Sequence, residues 1–329
     1  MIVNKKNECE KLIINNNYSI LNNFKYKKTL NDFYNPEEYL FFVDGEDVIP
    51  LVVKDSMVTF YGGVHYNEYN LIPKNKKLLN KTIEYLKINN LDFKLLSITN
   101  DYYDYLKYKK FDVPYSPTWI FENINNFNID KFLNIISKKK RYKINRILKN
   151  KNKYTFENLD FNTFKDNIQL FLTLHIEYFT YRGLTSGWKG KNRLFSELID
   201  CLNADENLFI KIVKRNGQYV GIYILAYNDN EMIYVFGGTF DKDDENISML
   251  IYFDILENSK IIANKYNIKN LDAMRGSFGY KKKLNFKPKA LYALVSDNKW
   301  IPNLDVNLTK EDYYCAYGRE FGVFGGMYS

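Results

Sequence analysis

The side chains best suited to proton transfer and anion binding lie in the second half of the chain. His175 and Arg182 are seven residues apart in a segment with helical spacing, which places them near one helix face. Asp272 ends an apolar predicted strand and Arg275 follows closely. An imidazole or carboxylate can accept a proton, and an arginine binds carboxylate or phosphate. We therefore take His175, Asp272 and Arg275 as candidate catalytic residues and Arg182 as a candidate binding residue.

Each of these residues also has a simpler interpretation. A lone histidine on a helix is more often a packing or surface residue than a catalytic one. Asp272 at the end of its strand would equally serve to hold the turn formed by Arg275 and Gly276.

An aromatic strand that ends in two glycines supplies a second group of candidates. Tyr234 lies in this strand, and Gly237-Gly238 end it. Glycines let a ligand approach the backbone closely, although at the end of a strand they also serve simply as turn residues. The same ending recurs at Gly62-Gly63, so we include Tyr234, Gly237 and Gly238 as candidate donor-binding residues.

Two basic segments are candidates for binding phosphate. Tyr280 and Lys281 lie in a glycine-spaced loop, and Arg141 lies at the centre of the basic stretch Ile129–Asn150. Both segments also have a simpler interpretation. The lysines after Tyr280 can be a run of solvated surface residues. The basic stretch has an apolar stripe of isoleucines, which is typical of a solvated helix that connects two halves of a chain.

The elements that must position these residues occur twice. In the first half, apolar segments flank an Asp44-Gly45 turn, an aromatic strand ends in Gly62-Gly63, and a helix precedes Leu91-Asp92. The second half repeats this order with Asn216-Gly217, Gly237-Gly238 and Leu271-Asp272. The spacing between corresponding positions drifts by only a few residues, as in a duplicated unit whose loops differ in length.

Hydrophobic periodicity predicts the elements of each copy. A hairpin, a third strand, a helix at Lys76–Asn89, a strand at Leu91–Ile98 and a short helix at Tyr102–Lys109 are expected in the first. A long helix at Phe161–Tyr181, three strands, a helix at Met249–Lys265 and a strand at Asn270–Met274 are expected in the second. Acidic residues before Met249 favour the N-terminus of that helix. The order predicts an α/β (α+β) fold with two domains, each a mixed, mostly antiparallel sheet flanked by helices.

Composition limits the class of protein. The chain has 329 residues, 46% hydrophobic and 17% aromatic, which is enough for two packed cores. The net charge of +8 suits a phosphate-bearing ligand, but the lysines accompany many Asn, Ile and Tyr residues, as an AT-rich coding sequence produces. Because no long apolar run or signal-peptide core is present, we expect a soluble, cytoplasmic protein. Three scattered cysteines and two histidines predict no metal site.

The duplicated unit resembles tandem Gcn5-related N-acetyltransferases (GNAT), and specifically Fem-like and cellulose-biosynthesis (CelD-type) acyltransferases. The resemblance covers roughly residues 36–296 and is carried by these segments: Lys138–Arg146, Leu174-His175, Arg182-Gly183, Tyr234–Gly238, Asp272, Arg275-Gly276 and Tyr280-Lys281. It implies acyl transfer to a primary amine, with the donor in a splay between two central strands. No metal is implied.

One departure concerns the donor. CoA-dependent members of the superfamily carry a glycine-rich loop after the aromatic strand, whose backbone N–H groups hold the pyrophosphate. The corresponding segment, Thr239–Ser248, contains no glycine. A Fem-like enzyme that uses aminoacyl-tRNA is therefore an alternative to one that uses a thioester on CoA or an acyl-carrier protein. A non-catalytic binding protein on a decayed fold is the third possibility.

The two copies are expected to have different roles. We place an N-terminal domain at residues 1–125 and a C-terminal domain at 126–329, which includes the linking helix 129–150 and the tail 297–329. The first copy has Lys94-Leu95 where Arg275-Gly276 follows in the second, so we assign it a scaffold or acceptor-binding role. The expected partners are a small-molecule or peptide amine and a carrier protein or tRNA, with the reaction in a cleft between the halves.

Overall fold

The fold is described from a computed structural model of the chain, for residues 1–14, 20–63, 67, 69–70, 75–98, 113–205, 207–244, 246–275, 281 and 283–296. The chain divides into two compact units. Among the described residues, the first unit is formed by Met1–Thr118 together with Arg275 and residues 288–296, and the second unit by Trp119–Met274 with Lys281–Lys287. The predicted division, at residue 125, assigned everything after that residue to the second domain. In the structure, residues 288–296 are grouped with the first.

The first unit is a sheet with helices on both faces. Its elements, in chain order, are β1 (Ile2–Val3), α1 (Lys6–Ile14), α2 (Phe24–Tyr34), β2 (Glu38–Asp44), β3 (Asp47–Lys54), β4 (Met57–Phe60), α3 (Lys76–Ile88) and β5 (Asp92–Ile98). A strand from the end of the chain, β12 (Lys287–Val295), pairs antiparallel with β5. The strand order is β1-β2-β3-β4-β5-β12, and β4 and β5 are parallel.

Side-chain alternation explains why this sheet is covered on both faces. Leu40 and Phe42 of β2 join a core with α3, whereas Phe41 and Val43 join a core with α1. Successive residues of a strand point to opposite faces, so an unbroken apolar strand requires cover on both sides. The two-residue turn at Gly45, with φ +63°, closes the β2–β3 hairpin as predicted.

The second unit has the same plan with longer helices. Strand β6 (Val113–Phe121) contains the boundary between Thr118 and Trp119. The elements that follow are α4 (Ile129–Ile135), α5 (Lys138–Lys149), β7 (Thr155–Leu159), α6 (Phe161–Asp166), α7 (Ile168–Tyr181), α8 (Asn192–Asp205), β8 (Asn207–Arg215), β9 (Gln218–Tyr227), β10 (Met232–Thr239), α9 (Ile247–Tyr266) and β11 (Leu271–Arg275). Their strand order is β11-β10-β9-β8-β7, with β10 and β11 parallel.

Two predicted helices are interrupted. The helix predicted over Ile129–Asn150 is divided into two helices, α4 and α5. Helix α5 begins after Ser137, which has the extended backbone of an N-cap residue (φ −59°, ψ 149°). The helix predicted over Phe161–Tyr181 divides at Asn167 into α6 and α7. Helices α1 and α2 were not predicted. A helix predicted at 102–109 and the tail 297–329 lie outside the described residues.

No described helix combines the length and the apolar character that crossing a membrane requires.

Candidate functional site

The centre of the second unit is the place where β10 and β11 separate. Their parallel pairing consists of Met232↔Leu271 and Ile233↔Asp272 and extends no further between described residues, whereas β10 continues along β9 as far as Thr239. Adjacent strands that separate leave backbone N–H and C=O groups without strand partners, and such groups are available to a ligand. The sequence predicted a splay of this kind through the resemblance.

A β-bulge in β10 changes the face of the sheet to which its side chains point. The register between β10 and β9 shifts between Tyr234, opposite Leu225, and Phe236, opposite Ile224. The extra residue turns Tyr234 and Phe236 to opposite faces of the sheet, although they are two residues apart. Phe236 thereby faces α7 and α8, where its ring lies 5.0 Å from that of His175.

His175 is a buried, neutral side chain beside the end of β10. It lies on α7, is only 8% exposed, and its ring is 4.4 Å from that of Phe179. Burial lowers the pKa of His175 to about 4, so the imidazole is unprotonated near pH 7. Because Phe236 directly precedes Gly237-Gly238, the structure brings His175 next to the glycine pair that was singled out from the sequence.

Asp272 lies on the same face of the sheet as His175. Asp272 pairs with Ile233 of β10, and Ile233 is opposite Ala226 of β9. Ala226 and Ile224 are two residues apart and therefore point to the same face of β9. Phe236, which contacts His175, is opposite Ile224, so Asp272 points to that face as well. The Asp272 carboxylate accepts a hydrogen bond from the backbone N–H of Met274 at 2.6 Å. Met274 has φ +59°, so this contact stabilises a left-handed residue directly after the strand pair.

The two glycines of β10 have different structural roles. A Cβ at Gly237 would lie 2.3 Å from the carbonyl oxygen of Ile222 and 2.6 Å from Cα of Tyr223. Gly237 is therefore required for β10 to approach β9. A Cβ at Gly238, where φ is +152°, would have no atom of the described residues within 4 Å. Of the two glycines, only the second borders space that the described part of the chain leaves open.

The corresponding glycine of the first unit is covered. A Cβ at Gly63 would lie 2.5 Å from the ring of Tyr34, which comes from α2. The space next to the aromatic-Gly-Gly strand is thus filled by a side chain in the first unit, while at Gly238 it is open.

The strand separation in the first unit is also filled by its own chain. Asn67 donates side-chain hydrogen bonds to the carbonyl oxygens of Tyr61 (3.0 Å) and Gly63 (2.8 Å), and Asn70 donates one to that of Leu96 (3.0 Å). The buried ammonium of Lys27 donates to the side-chain oxygens of both asparagines. Backbone groups next to β4 and β5 are therefore occupied internally.

The strand register differs by one residue between Asp92 and Asp272. Asp92 pairs with Met57 and Phe93 with Val58, whereas in the second unit it is Asp272 that pairs with Ile233. The bulge of β10 has no counterpart in the β3–β4 register and offsets this difference. Phe93 and Val58 join the core with α3, so Asp92 lies on the face away from that helix, as Asp272 lies on the face away from α9. The Asp92 carboxylate accepts a hydrogen bond from Ser296 at 2.8 Å.

Three predicted binding residues on the second unit lie in different surroundings. Arg182 caps the C-terminal end of α7 and is exposed. Arg141 lies on α5 and donates from Nη2 to the carbonyl oxygen of Asn134 at 3.1 Å. The Tyr234 hydroxyl is buried with no hydrogen-bond partner among the described residues, and burial raises its pKa well above the usual range.

Lys281 makes internal contacts. It is 1% exposed, and its ammonium donates to the carbonyl oxygens of Ala273 (2.8 Å) and Met274 (3.1 Å). Contact with a donor phosphate would require this amine to leave both carbonyls. Arg275 is the last residue of β11, and its side chain, like Tyr280, lies outside the described residues.

In the loop before α9, where a CoA pyrophosphate would bind in the resembled family, backbone N–H groups are bonded to carboxylates. Asp241 is 5% exposed, and its Oδ1 accepts backbone N–H groups from Asp243 (2.9 Å) and Asp244 (3.2 Å) and the guanidinium of Arg215 (3.1 Å). Asp244 in turn accepts the backbone N–H of Asn246 at 2.8 Å. Backbone donors that would hold a phosphate are thus satisfied by the chain's own carboxylates.

The Asp241 cluster is the feature that the sequence reasoning underestimated. The acidic run was interpreted only as favourable for the helix N-terminus, and Arg215 was not singled out. The sequence signal for this cluster was the absence of glycine combined with an aspartate two residues after the strand.

Within the described parts of the chain, no group of three or more His, Cys, Asp or Glu side chains is arranged to hold a metal ion.

Comparison with known proteins shows similarity in fold only. No protein-family model and no curated protein matches the sequence. A conserved protein of unknown function from Bacteroides thetaiotaomicron has a TM-score of 0.56 and 15% identity, over 89% of this chain and 100% of that one. The C-terminal domain of a putative lysylphosphatidylglycerol synthetase from Agrobacterium fabrum gives 0.56 and 8%, over 89% and 93%. FemX gives 0.52 and 13%, over 90% and 98%.

These likenesses extend over nearly the whole of each chain. Together with the two units of sheet and helices, they confirm the predicted fold class, an α/β fold of two units that each contain a mixed sheet flanked by helices. The Fem-like part of the resemblance is likewise shown for the fold.

Proposed function

We propose that the second unit is an N-acyltransferase that moves an acyl group from an activated donor, in the first instance a thioester, to a primary amine. The observation that carries the proposal is the separation of β10 from β11 beside Gly238, whose surroundings the described residues leave open. The equivalent space in the first unit is filled by Tyr34. The first unit is accordingly proposed as the scaffold or acceptor-binding copy. A reaction between the halves stays a prediction.

The residues around Gly238 have distinct proposed roles. The amine nitrogen attacks the acyl carbonyl carbon, the oxygen gains the charge, and collapse expels the thiolate. Unpaired backbone N–H groups of β10 stabilise the oxyanion. His175, neutral near pH 7, accepts a hydrogen bond from the amine and orients it. Asp272, on the same face, takes the proton that the amine loses. Arg275 remains a proposed catalytic residue, and Tyr280 and Arg182 remain proposed donor-binding residues.

Acyl-CoA fits the second unit poorly. Its pyrophosphate carries negative charge, and the loop before α9 contains Asp241, Asp243 and Asp244, with the N–H groups of residues 243, 244 and 246 already bonded to carboxylates. A thioester donor would therefore be an acyl-carrier protein, or an acyl-CoA whose phosphates bind away from the loop before α9.

The same observation favours a second candidate, in which the donor is the ester of an aminoacyl-tRNA. Such a donor does not need a pyrophosphate site at α9. The leaving group is then a ribose oxygen, and the roles of His175 and Asp272 are unchanged. FemX and the synthetase domain share this fold, which is consistent with either donor.

The test supplies acyl-CoA, acyl-carrier protein and charged tRNA in turn, with a mixture of primary amines, and detects the amide product by mass spectrometry. Asp272→Asn should lower transfer at least about tenfold, because general acid–base groups contribute typically about 10² or more. Asp92→Asn in the first unit is the matched control and should retain transfer. Absence of transfer from all three donors would favour the non-catalytic binding protein and reject both enzyme functions.

A further inference from the structure

Helix α5 presents an exposed face of cations that we call the α5 basic face: Lys138, Lys139, Lys143, Arg146 and Lys149, with Tyr142. Successive residues of an α-helix are rotated by about 100°, so these six side chains fall within an arc of about 140°. Tyr142 lies near the middle of the arc and is 73% exposed. From Lys138 to Lys149 the face is about 16 Å long.

The charges of this face have no ion-pair partners in the described part of the chain. None of the five cations forms an ion pair there, whereas partly exposed lysines elsewhere, such as Lys165 with Asp200 and Lys214 with Glu157, do form pairs. No Asp or Glu occurs in the sequence between Asp130 and Glu157. The face therefore concentrates positive charge with no counter-ion among the described residues.

Folding does not explain this arrangement. Lys138 and Lys139 lie in the first turn of α5, where the helix dipole disfavours cations. Lys139 and Lys143 are like charges four residues apart, which also opposes helix formation. An external polyanion would relieve both effects.

The rest of α5 argues against a membrane as that polyanion. A helix that lies in a membrane surface inserts an apolar face. The apolar face of α5 is already buried within the second unit, since Ile144 is 8% and Ile147 4% exposed. Tyr142 is the large non-polar side chain that remains exposed on the helix, and the neighbouring Ile135, at the end of α4, is exposed as well.

An RNA strand matches both components of the face. Lysine and arginine bind phosphodiester groups, and an exposed tyrosine ring stacks on an unpaired base. We propose that the α5 basic face binds an RNA backbone and that Tyr142 stacks on one of its bases. If the aminoacyl-tRNA donor considered above is correct, this face holds the RNA part of the donor; that last step alone rests on the proposed function.

Binding of deacylated, fluorescently labelled tRNA to the full chain tests the proposal. The quadruple variant K138Q/K139Q/K143Q/R146Q is compared with K76Q/K77Q/K81Q/K87Q, which removes the same charge from α3. The Kd should rise at least about tenfold for the α5 variant and less than about twofold for the control. The dependence of log K on log salt should be shallower by about 3, because each lost phosphate contact contributes about 0.7–0.9.

Tyr142→Ala separates stacking from charge. It should raise the Kd roughly fivefold or more while leaving the salt dependence unchanged, because base stacking on an aromatic ring contributes without counter-ion release. Circular dichroism and urea unfolding confirm that each variant is folded.

Three outcomes would overturn the proposal: no tRNA binding by the wild-type chain, equal weakening in the α5 and α3 variants, or binding to anionic phosphatidylglycerol vesicles without binding to tRNA. Because the RNA is deacylated, failure of acyl transfer leaves this result unaffected. Conversely, if the wild-type chain does not bind tRNA but transfers an acyl group from a thioester, only the α5 site is rejected.

Discussion

At the scale of single residues, the decisive feature is that His175 is kept neutral. Its ring lies between Phe179 and Phe236, and desolvation lowers its pKa to about 4. A histidine with this pKa is a poor general base near pH 7, although its unprotonated nitrogen can accept a hydrogen bond from an amine. For this reason the proposed proton acceptor is Asp272.

The pKa of His175 predicts a specific dependence of stability on pH. The unfolded chain takes up a proton on this side chain as the pH falls below about 6.5, whereas the folded protein does so only near pH 4. The stabilisation is thus complete above about 6.5 and is lost as the pH falls towards 4, by about 3 kcal/mol in all. Urea unfolding at a series of pH values measures this loss.

The His175→Phe variant isolates that effect. Carboxylates with lowered pKa, such as Asp32 and Asp244, also lose stabilisation in acid, but equally in both proteins. The difference in unfolding free energy between wild type and variant should therefore change between pH 6.5 and 4. Parallel curves over that interval would show that His175 titrates normally.

Adjacent glycines provide a second residue-scale prediction. Gly237→Ala should lower the free energy of unfolding by about 3 kcal/mol or more, because its Cβ would collide with the backbone of β9. In Gly238→Ala the added Cβ meets no atom of the described residues, so the variant should cost only about 1 kcal/mol, from its positive φ. If Gly238 borders the donor, the second variant should nevertheless lose more transfer than stability. Equal destabilisation of the two would contradict this assignment.

At the scale of elements, the end of β11 is stabilised by contacts that come from beyond the strand. Lys281 donates to the carbonyl oxygens of Ala273 and Met274, and Asp272 accepts the N–H of Met274. These bonds satisfy backbone groups at the point where the parallel pairing with β10 stops. The strand separation is therefore a stabilised feature of the second unit.

Replacing Lys281 with Met tests whether this residue is structural. The variant keeps the length of the side chain but leaves two buried carbonyls without their donor, so the free energy of unfolding should fall by about 2–4 kcal/mol. Lys283→Met, at an exposed position, is the control and should change stability by less than about 0.5 kcal/mol. An increase in KM for the donor with unchanged stability would instead indicate the phosphate contact predicted from the sequence.

At the scale of the whole molecule, the chain returns to its first unit after completing most of the second. Strand β12 pairs with β5 through Tyr292↔Ile98 and Leu294↔Leu95, and Leu294 is 3% exposed in the core shared with α3. Ser296 accepts the backbone N–H of Phe93 at 3.1 Å. The first unit is thus complete only when the end of the second half has been synthesised.

Truncation should therefore affect the half of the chain that is distant in sequence. A chain ending at residue 286 loses β12, so amide hydrogen exchange in β4 and β5 should accelerate at least about tenfold while β8 and β9 are little changed. A chain ending at residue 296 keeps every described contact of β12 and should exchange like the full protein. Faster exchange confined to the second unit would show that β12 belongs there.

The sequence alone determined those features that depend on neighbouring residues. Asn216-Gly217 closed its hairpin as predicted, and the turn predicted at Asp44-Gly45 forms at Gly45 and Glu46, between the paired Asp44 and Asp47. Both turns are local signals, because a two-residue turn needs a residue that tolerates a positive φ, here Gly45 in one and Asn216 and Gly217 in the other. The repeat likewise predicted a duplicated unit, because hydrophobic periodicity and turn residues are local signals.

Only the tertiary structure decided how the two copies differ. The one-residue register difference between Asp92 and Asp272, the bulge that sends Phe236 towards His175 and the return of β12 to β5 all depend on pairings between distant segments. The occupants of the two glycine positions are decided in the same way: Tyr34 covers Gly63, while the space at Gly238 stays open. Strand pairing and packing are settled by the whole fold, so residues with the same local sequence acquired different surroundings.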